Sequence, residues 1–339
     1  MIDQPATLQP ALAPWGRFPA ISRFRVLLRA REPIRLPPYA GSAWRGLLGM
    51  ALRRTLCVTR LPRCEGCLLH STCAYVRLFE SPAMTPVDQA RSSAIPHPFV
   101  LDVEPGQGMD LAPGAPLSLG LSLIGPAIPQ LPYFIHALGQ AGERGIGKAQ
   151  GRFDLLGVDQ EITLGAGDWT PVFRAEDGRC VPAATQNPAG FCLPERVRMG
   201  FRTPLRIKHR GRLVGAQEFQ AALLTRHLLW RLESLDRHYG QGNGTLDREC
   251  YGEAESQIRL AESRLCWRDW TRYSSRQDSL MQLGGLIGDL VLEGEGLAVL
   301  GPALWLGQWT HLGKATSFGL GRYRLEPAAG LPNGGHPGD

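Results

Sequence analysis

The hydrophobic and polar positions of this chain set out one pattern twice. Between Arg23 and Ala30 residues alternate, with Phe24, Val26 and Leu28 on one side and Arg23, Arg25, Leu27 and Arg29 on the other, the period of a strand. Pro37-Pro38 breaks the chain. Ser42 is then suited to cap a helix whose apolar stripe is Trp44, Leu47, Leu48, Ala51 and Leu52, and Arg53 and Arg54 load the end where the helix dipole favours cations. Gly46 and Gly49 let such a helix sit close on a sheet. Phe99–Val103 and Leu117–Ile124 read as short strands, Ile128–Ala141 as a helix and Arg152–Val158 as a strand. The order β-α-β-β-α-β is that of the ferredoxin-like split βαβ unit, with a cysteine-rich loop inserted after the first helix.

The second half repeats the plan. Arg196 to Leu213 is extended, with a bulge or a strand break expected at Pro204. Gln217–His238 is a long helix, Arg264–Tyr273 and Leu286–Glu293 are strands, and a short helix at Pro302–Gln308 ends an apolar run from Leu297. An echo supports duplication. Gly307 to Arg324 contains Gly313-Lys314-Ala315 and then Gly321-Arg322-Tyr323; Gly145 to Phe153 contains Gly147-Lys148-Ala149 and then Gly151-Arg152-Phe153. Each copy joins an apolar helix to a strand, and self-similarity at about half the chain length argues for two copies of one supersecondary unit. The expected fold is α+β with tandem ferredoxin-like domains. Residues 18–162 form the first, with its insertion at 57–73, and 191–327 the second; 163–190 are an irregular linker, and 1–17 and 328–339 disordered tails.

Composition narrows the class. With 339 residues, 43% hydrophobic and 20% charged, the chain has the make-up of a two-domain soluble protein. It carries neither a leader-like start nor a long apolar run, so a cytoplasmic protein with no membrane partner is expected. A net charge of +6 tilts the partner list toward polyanions. Of eight cysteines, Cys57, Cys64, Cys67 and Cys73 are bunched as C-x6-C-x2-C-x5-C. Four thiolates suit a closed, structural zinc site, with an iron–sulfur cluster as the alternative. A closed set leaves no position for a catalytic water, which argues against a zinc-dependent enzyme. His70 lies inside the same loop.

Charge placement says more than the total. Arg196, Arg198, Arg202, Arg206, Lys208, Arg210 and Arg212 all fall on even positions, while Val197, Met199, Phe201, Leu205, Ile207 and Leu213 fall on odd ones. An extended chain would thus show one basic face, suited to tracking phosphates. Thr271 to Gln277 mixes Arg272 and Arg276 with hydroxyls and Tyr273, chemistry that suits RNA. In the terminal glycine loop Gly313, Gly319 and Gly321 would let a polyanion approach backbone amides, with Lys314, Thr316, Ser317 and Arg322 beside them; Lys148 is the counterpart in the first loop. The loop is neither a Walker sequence nor a dinucleotide fingerprint.

These residues resemble the RAMP superfamily and, within it, the CRISPR-associated endoribonucleases that cut precursor crRNA, the Cas6 family. The resemblance runs from Tyr39-Ala40-Gly41-Ser42-Ala43-Trp44-Arg45-Gly46, through Cys73-Ala74-Tyr75-Val76-Arg77-Leu78-Phe79-Glu80 and Thr203 to Gly211, to Arg272–Gln277 and His311-Leu312-Gly313-Lys314-Ala315-Thr316-Ser317-Phe318-Gly319-Leu320-Gly321. It implies binding of CRISPR repeat RNA and metal-independent attack of a 2′-hydroxyl on the adjacent phosphate, leaving a 2′,3′-cyclic phosphate and a 5′-hydroxyl. Other Cas effector subunits are implied partners, and the chain is expected as a monomer or homodimer. Members often place a histidine near the first helix; here none lies between Met1 and Leu69. The base therefore stays open among His70, His209 and His311, or a site built from Tyr39, Arg45 and Lys314. The rival reading is a noncatalytic RAMP subunit that binds crRNA without cutting it.

Overall fold

The protein is described here from a computed structural model that covers residues 18–82, 95–106, 110–181, 193–240, 248–274 and 279–328; most of both expected tails, residues 1–17 and 329–339, lies outside them. In the first domain β1 (Ile21–Ala30), β2 (Phe99–Asp102), β3 (Pro116–Ile124), β4 (Phe153–Glu161) and β5 (Trp169–Arg174) form one antiparallel sheet in the order β2-β3-β1-β4-β5. The alternation along β1 sends Phe24, Val26 and Leu28 into the core, against Trp44, Leu48 and Leu52 of α1 (Gly41–Leu56) and Phe134 and Leu138 of α2 (Leu131–Gly142). Burying aromatic and aliphatic side chains of this size stabilises by roughly 1.5 to 3 kcal/mol each, so one sheet face and two helix stripes suffice to hold the domain.

Two expectations change here. Helix α1 starts at Gly41, and no side chain caps it; Ser42 lies in its first turn. The stretch expected as linker contains β5, which pairs with β4 from Gly157↔Arg174 to Glu161↔Trp169. Its Trp169 ring lies 5.5 Å from the Arg23 guanidinium and 4.8 Å from that of Arg25. Strand β5 thus covers arginines that the alternation of β1 turns away from the core, a contact invisible to local periodicity. The cysteine-bearing stretch from Cys57 to Cys73 is turns and irregular chain between α1 and a π-helical turn at Val76–Glu80.

The second domain has β6 (Arg196–Leu205), a small hairpin β7 (Lys208–His209) and β8 (Arg212–Leu213), then α3 (Ala221–Tyr239) and α4 (Arg248–Ser256). It continues with β9 (Arg259–Arg268), a second hairpin β10 (Thr271–Ser274) and β11 (Ser279–Gln282), β12 (Gly285–Glu293), α5 (Leu297–Thr310) and β13 (Tyr323–Pro327). The main sheet has the order β13-β6-β12-β9, the counterpart of β4-β1-β3-β2. The bulge expected near Pro204 is present: Leu286 pairs with Leu205, whereas Gly288 pairs with Phe201. Helix α5 is longer than expected and runs through Pro302.

The duplication extends to the glycine loops. Arg31 N–H donates to the Arg152 carbonyl at 2.8 Å, and Arg202 N–H donates to the Arg322 carbonyl at 2.9 Å. A Cβ on Gly147 would strike the Arg35 carbonyl, and one on Gly313 would come within 2.6 Å of the Arg206 carbonyl. In both domains the glycine loop before the last strand of the repeat lies on the segment that follows the first strand. The domains meet along a seam where Phe18, Ile21 and Ile124 join the second domain's core and where Asp102 of β2 pairs with Arg322 at 2.9 Å.

Candidate nucleic-acid interface and reaction centre

Backbone geometry builds the glycine loop. His311, Gly313, Ala315, Gly319 and Gly321 all have left-handed φ values, between +57° and +86°. The Leu312 N–H closes the loop on the Gly321 carbonyl at 3.1 Å. The bulge of β6 then holds it: Lys314 N–H donates to Arg206 O at 2.8 Å, Gly321 N–H to Pro204 O at 3.0 Å, and Arg322 N–H to Thr203 Oγ1 at 2.9 Å. Thr203 Oγ1 donates in turn to Gly319 O at 2.8 Å. The reason for glycine is therefore corrected. A Cβ on Gly319 would come within 2.6 Å of both the Leu101 carbonyl and the Tyr39 hydroxyl, so this position admits the first domain rather than a phosphate. Gly319 and Gly321 are buried, and several amides expected to face a polyanion are taken by the protein itself.

Across the seam, residues from both domains converge on Phe318 and Ser317. The Tyr39 hydroxyl donates to the Phe318 carbonyl, and its ring stacks on Trp270 at 4.4 Å. Burial drives the Tyr39 hydroxyl's pKa far up, with Asp102 adding to the effect. As it stands, Tyr39 ties the domains together and is a poor base. Arg45 lies between two rings, 4.4 Å from Phe79 and 4.6 Å from Phe318, and donates Nε–H to Ser317 Oγ at 3.2 Å. Its other arm reaches Nε2 of His97 at 3.2 Å. Because arginine only donates, Nε2 is the acceptor. The His97 proton therefore sits on Nδ1, which faces Ser81 Oγ at 3.1 Å. Burial, then the cations Arg45 and Arg231, lower the His97 pKa to about 3, so the ring is neutral.

His97 is the histidine that sequence reasoning missed. It lies far from the first helix in sequence, in Pro96-His97-Pro98, where two prolines stiffen the irregular lead into β2. Its signal was that rigid setting.

The remaining candidates divide by environment. His311 is 2% exposed; burial first, then Arg322, Arg231 and Arg324, push its pKa well down, which removes it from solvent-facing base chemistry. Arg322 is buried and paired with Asp102 and Glu104, so it binds the domains and is withdrawn from RNA. Ser317 is buried too, behind Arg45. Of the basic stripe, Arg196 pairs with Glu262 and Glu293 and Arg198 with Glu326, acids that arrive from other strands of the same sheet. Arg206 is half-buried, donates to the Gly284 carbonyl and is lowered in pKa by burial.

What stays open is the hairpin. Lys208, His209, Arg210 and Arg212 are exposed around a two-residue turn with Arg210 at φ +49° and Gly211 at φ +82°, the left-handed pair that suits a tight hairpin. His227 of α3 donates Nε2–H to the Lys208 carbonyl at 3.0 Å. Its pKa is lowered by burial and, more weakly, by Arg226, Lys314 and His209, which places exposed Lys314 in the same cationic rim. Lys148 is exposed on the first loop, and no contact described joins it to this rim. Arg272 lies on β10, where only the backbone is described, and Arg276 lies outside the described residues.

The four bunched cysteines line one pocket with Thr59 and Leu69, and Thr59 Oγ1 lies 3.9 Å from Cys57 Sγ and 3.5 Å from Cys67 Sγ. Their chemistry suits zinc. Among the described residues no group of three or more His, Cys, Asp or Glu is already set at metal-binding distances. His70 is half-buried in the same stretch. No described helix is long and apolar enough to cross a membrane.

Comparison with known proteins follows the domain division. A family model of an N-terminal domain matches residues 18–185. An uncharacterized protein of Archaeoglobus fulgidus is 25% identical over 128 residues, which span 38% of this chain and 42% of that protein. Among solved structures, a Cas6 product complex is 15% identical with a TM-score of 0.51, over 90% of this chain and all of that one. A Thermus thermophilus Cas6 is 14% identical with a TM-score of 0.51, covering 91% and 99% of the two chains. A chain of a partial Cas6-RT-Cas1–Cas2 complex is 15% identical with a TM-score of 0.56; the match covers 95% of this chain and 49% of that one. At these identities the structures show a shared two-domain fold. The model of the CRISPR-associated endoribonuclease Cas6 matches residues 199–323, so the second domain, from the bulged strand through the whole glycine loop, is similar to that family.

Proposed function

We propose that this protein binds CRISPR repeat RNA and cleaves precursor crRNA by attack of a 2′-hydroxyl on the neighbouring phosphate, without a catalytic metal. The observation that supports this most is the meeting of Arg45, His97 and Ser317 across the seam, on the glycine loop that also presents Lys314. Such a reaction needs a proton acceptor at the 2′-oxygen, a donor at the departing 5′-oxygen and cations for the phosphorane. His97 Nε2 is unprotonated and carries its lone pair toward Arg45. A phosphate placed on Arg45 would draw the guanidinium from the ring and replace a depressing cation with an anion, raising the His97 pKa toward the working range. Arg45 and Lys314 supply the charge; arginine holds its proton too tightly to serve as base.

The noncatalytic reading keeps one supporting observation: Tyr39 and His311 are locked in the seam. Incubating the purified protein with its own repeat RNA in EDTA separates the two. Cleavage to a 2′,3′-cyclic phosphate and a 5′-hydroxyl supports the nuclease. Tight binding of uncleaved RNA supports the subunit. Zinc held by Cys57, Cys64, Cys67 and Cys73 is a separate, structural proposal, as are a cytoplasmic location and association with other Cas subunits.

A further inference from the structure

Helix α3 is buried almost all round. Between Ala221 and Asp236 only Ala222, Arg226, His227 and Trp230 escape burial, and Trp230 is 48% exposed. Positions three and four apart share a helix face, so Arg226, His227 and Trp230 form one short outer stripe. The helix is anchored twice along one edge of that stripe. His227 Nε2–H is tied to the Lys208 carbonyl of the basic hairpin at 3.0 Å. Next to Trp230, buried Arg231 donates to the carbonyls of Thr310, at 2.9 and 2.6 Å, and His311, at 2.8 Å, where the glycine loop begins. The large exposed ring therefore stands on a helix anchored both to the hairpin carrying Lys208, His209, Arg210 and Arg212 and to the start of the loop carrying Lys314.

Burying an indole is favourable, so a rigid tryptophan at the surface implies a partner face. The surrounding charge selects the partner. The cations beside it suit a polyanion, and every nucleobase has a face that stacks on an aromatic ring. We propose that Trp230, flanked by His227, is a stacking site for an unpaired nucleobase of the bound RNA, next to the phosphate contacts of the β7–β8 hairpin. The site rests on the RNA-binding reading and adds that single-stranded nucleotides beside the repeat's stem are gripped by this protein.

The test uses the full chain and two probes, the repeat's stem-loop alone and the same stem-loop with unpaired flanking nucleotides, both with a 2′-deoxy substitution at the cleavage position. Wild type should bind the flanked RNA more tightly. Trp230→Ala should weaken that binding about tenfold, leave stem-only binding within twofold and leave the salt slope unchanged, because stacking carries no counterion release. Trp230→Phe should recover most of the loss. If Trp230→Ala matches wild type on the flanked RNA, or loses affinity equally for both RNAs, the stacking site is overturned. A change in self-association, read by sedimentation, with RNA affinity intact also overturns it and marks a protein contact. If wild type binds neither RNA, the RNA reading itself fails.

Discussion

At the residue scale, the seam separates the groups proposed to react from the groups that hold. His97→Ala removes the proposed proton acceptor and leaves Arg45 and the hairpin in place. Single-turnover cleavage at saturating protein should fall by about 10²- to 10⁴-fold, with repeat affinity changed little, since a group acting only in the transition state appears in the saturated rate. An unchanged rate removes His97 from the chemistry. Tyr39→Phe deletes only the hydroxyl that donates to Phe318. It should cost about 1 kcal/mol of stability and leave the saturated rate within a few-fold; a His97-sized loss would return Tyr39 to the reaction. Gly319 is different again. With φ at +86° and the Leu101 carbonyl and Tyr39 hydroxyl 2.6 Å from a Cβ, Gly319→Val should disrupt the whole seam. A thermal melt should fall well beyond the few degrees expected of a local loop change.

At the element scale, the basic hairpin is the clearest candidate RNA-binding surface left once the paired arginines are removed. Changing Lys208 and Arg210 to alanine should lower the log–log salt slope of RNA binding by roughly 0.7 to 0.9 for each phosphate that is no longer neutralised, while Arg196→Ala, already paired with Glu262 and Glu293, should leave it nearly unchanged. Equal effects would mean the strand face tracks phosphates along its full length. The cysteine stretch makes its own test: about one equivalent of zinc per chain by elemental analysis, with Cys64→Ser lowering the melting temperature more than the cleavage rate, because a closed site contributes to folding. Less than half an equivalent of zinc counts against it. Both βαββαβ orders were legible from period and punctuation, because strand and helix faces are written locally in Phe24, Val26 and Leu28 or in Trp44, Leu48 and Leu52. The site was half legible. The hairpin cations and Arg45 stood out, but the acids on Arg198 and Arg322 come from Glu326 and Asp102, strands away in sequence. His97 meets Arg45 only once β2 is laid beside α1, a relation that no local spacing records.

At the scale of the whole molecule, the domain seam concentrates cations and keeps its histidines neutral. Arg45, Arg231, Arg322 and Arg324 surround it, with carboxylates from Asp102 and Glu104 on Arg322; the Arg231 pKa is drawn down to about 10, chiefly by burial. Within this setting both His97 and His311 are depressed, His97 to about 3. In the unfolded chain each returns to an ordinary value near 6.5. Above that pH both states hold these rings neutral, and their contribution to stability is fully present. As pH falls below it the unfolded chain gains protons that the folded seam refuses, so stability drops by about 1.4 kcal/mol per pH unit for each histidine. The loss from His97 continues until pH approaches about 3. Thermal melts should therefore be flat between pH 8 and 7 and fall from about pH 6 downward. His311→Gln, which cannot titrate, should melt lower than wild type at pH 7 yet lose less between pH 7 and pH 5. A variant that loses as much as wild type over that interval would show that the seam takes up the proton in the folded state.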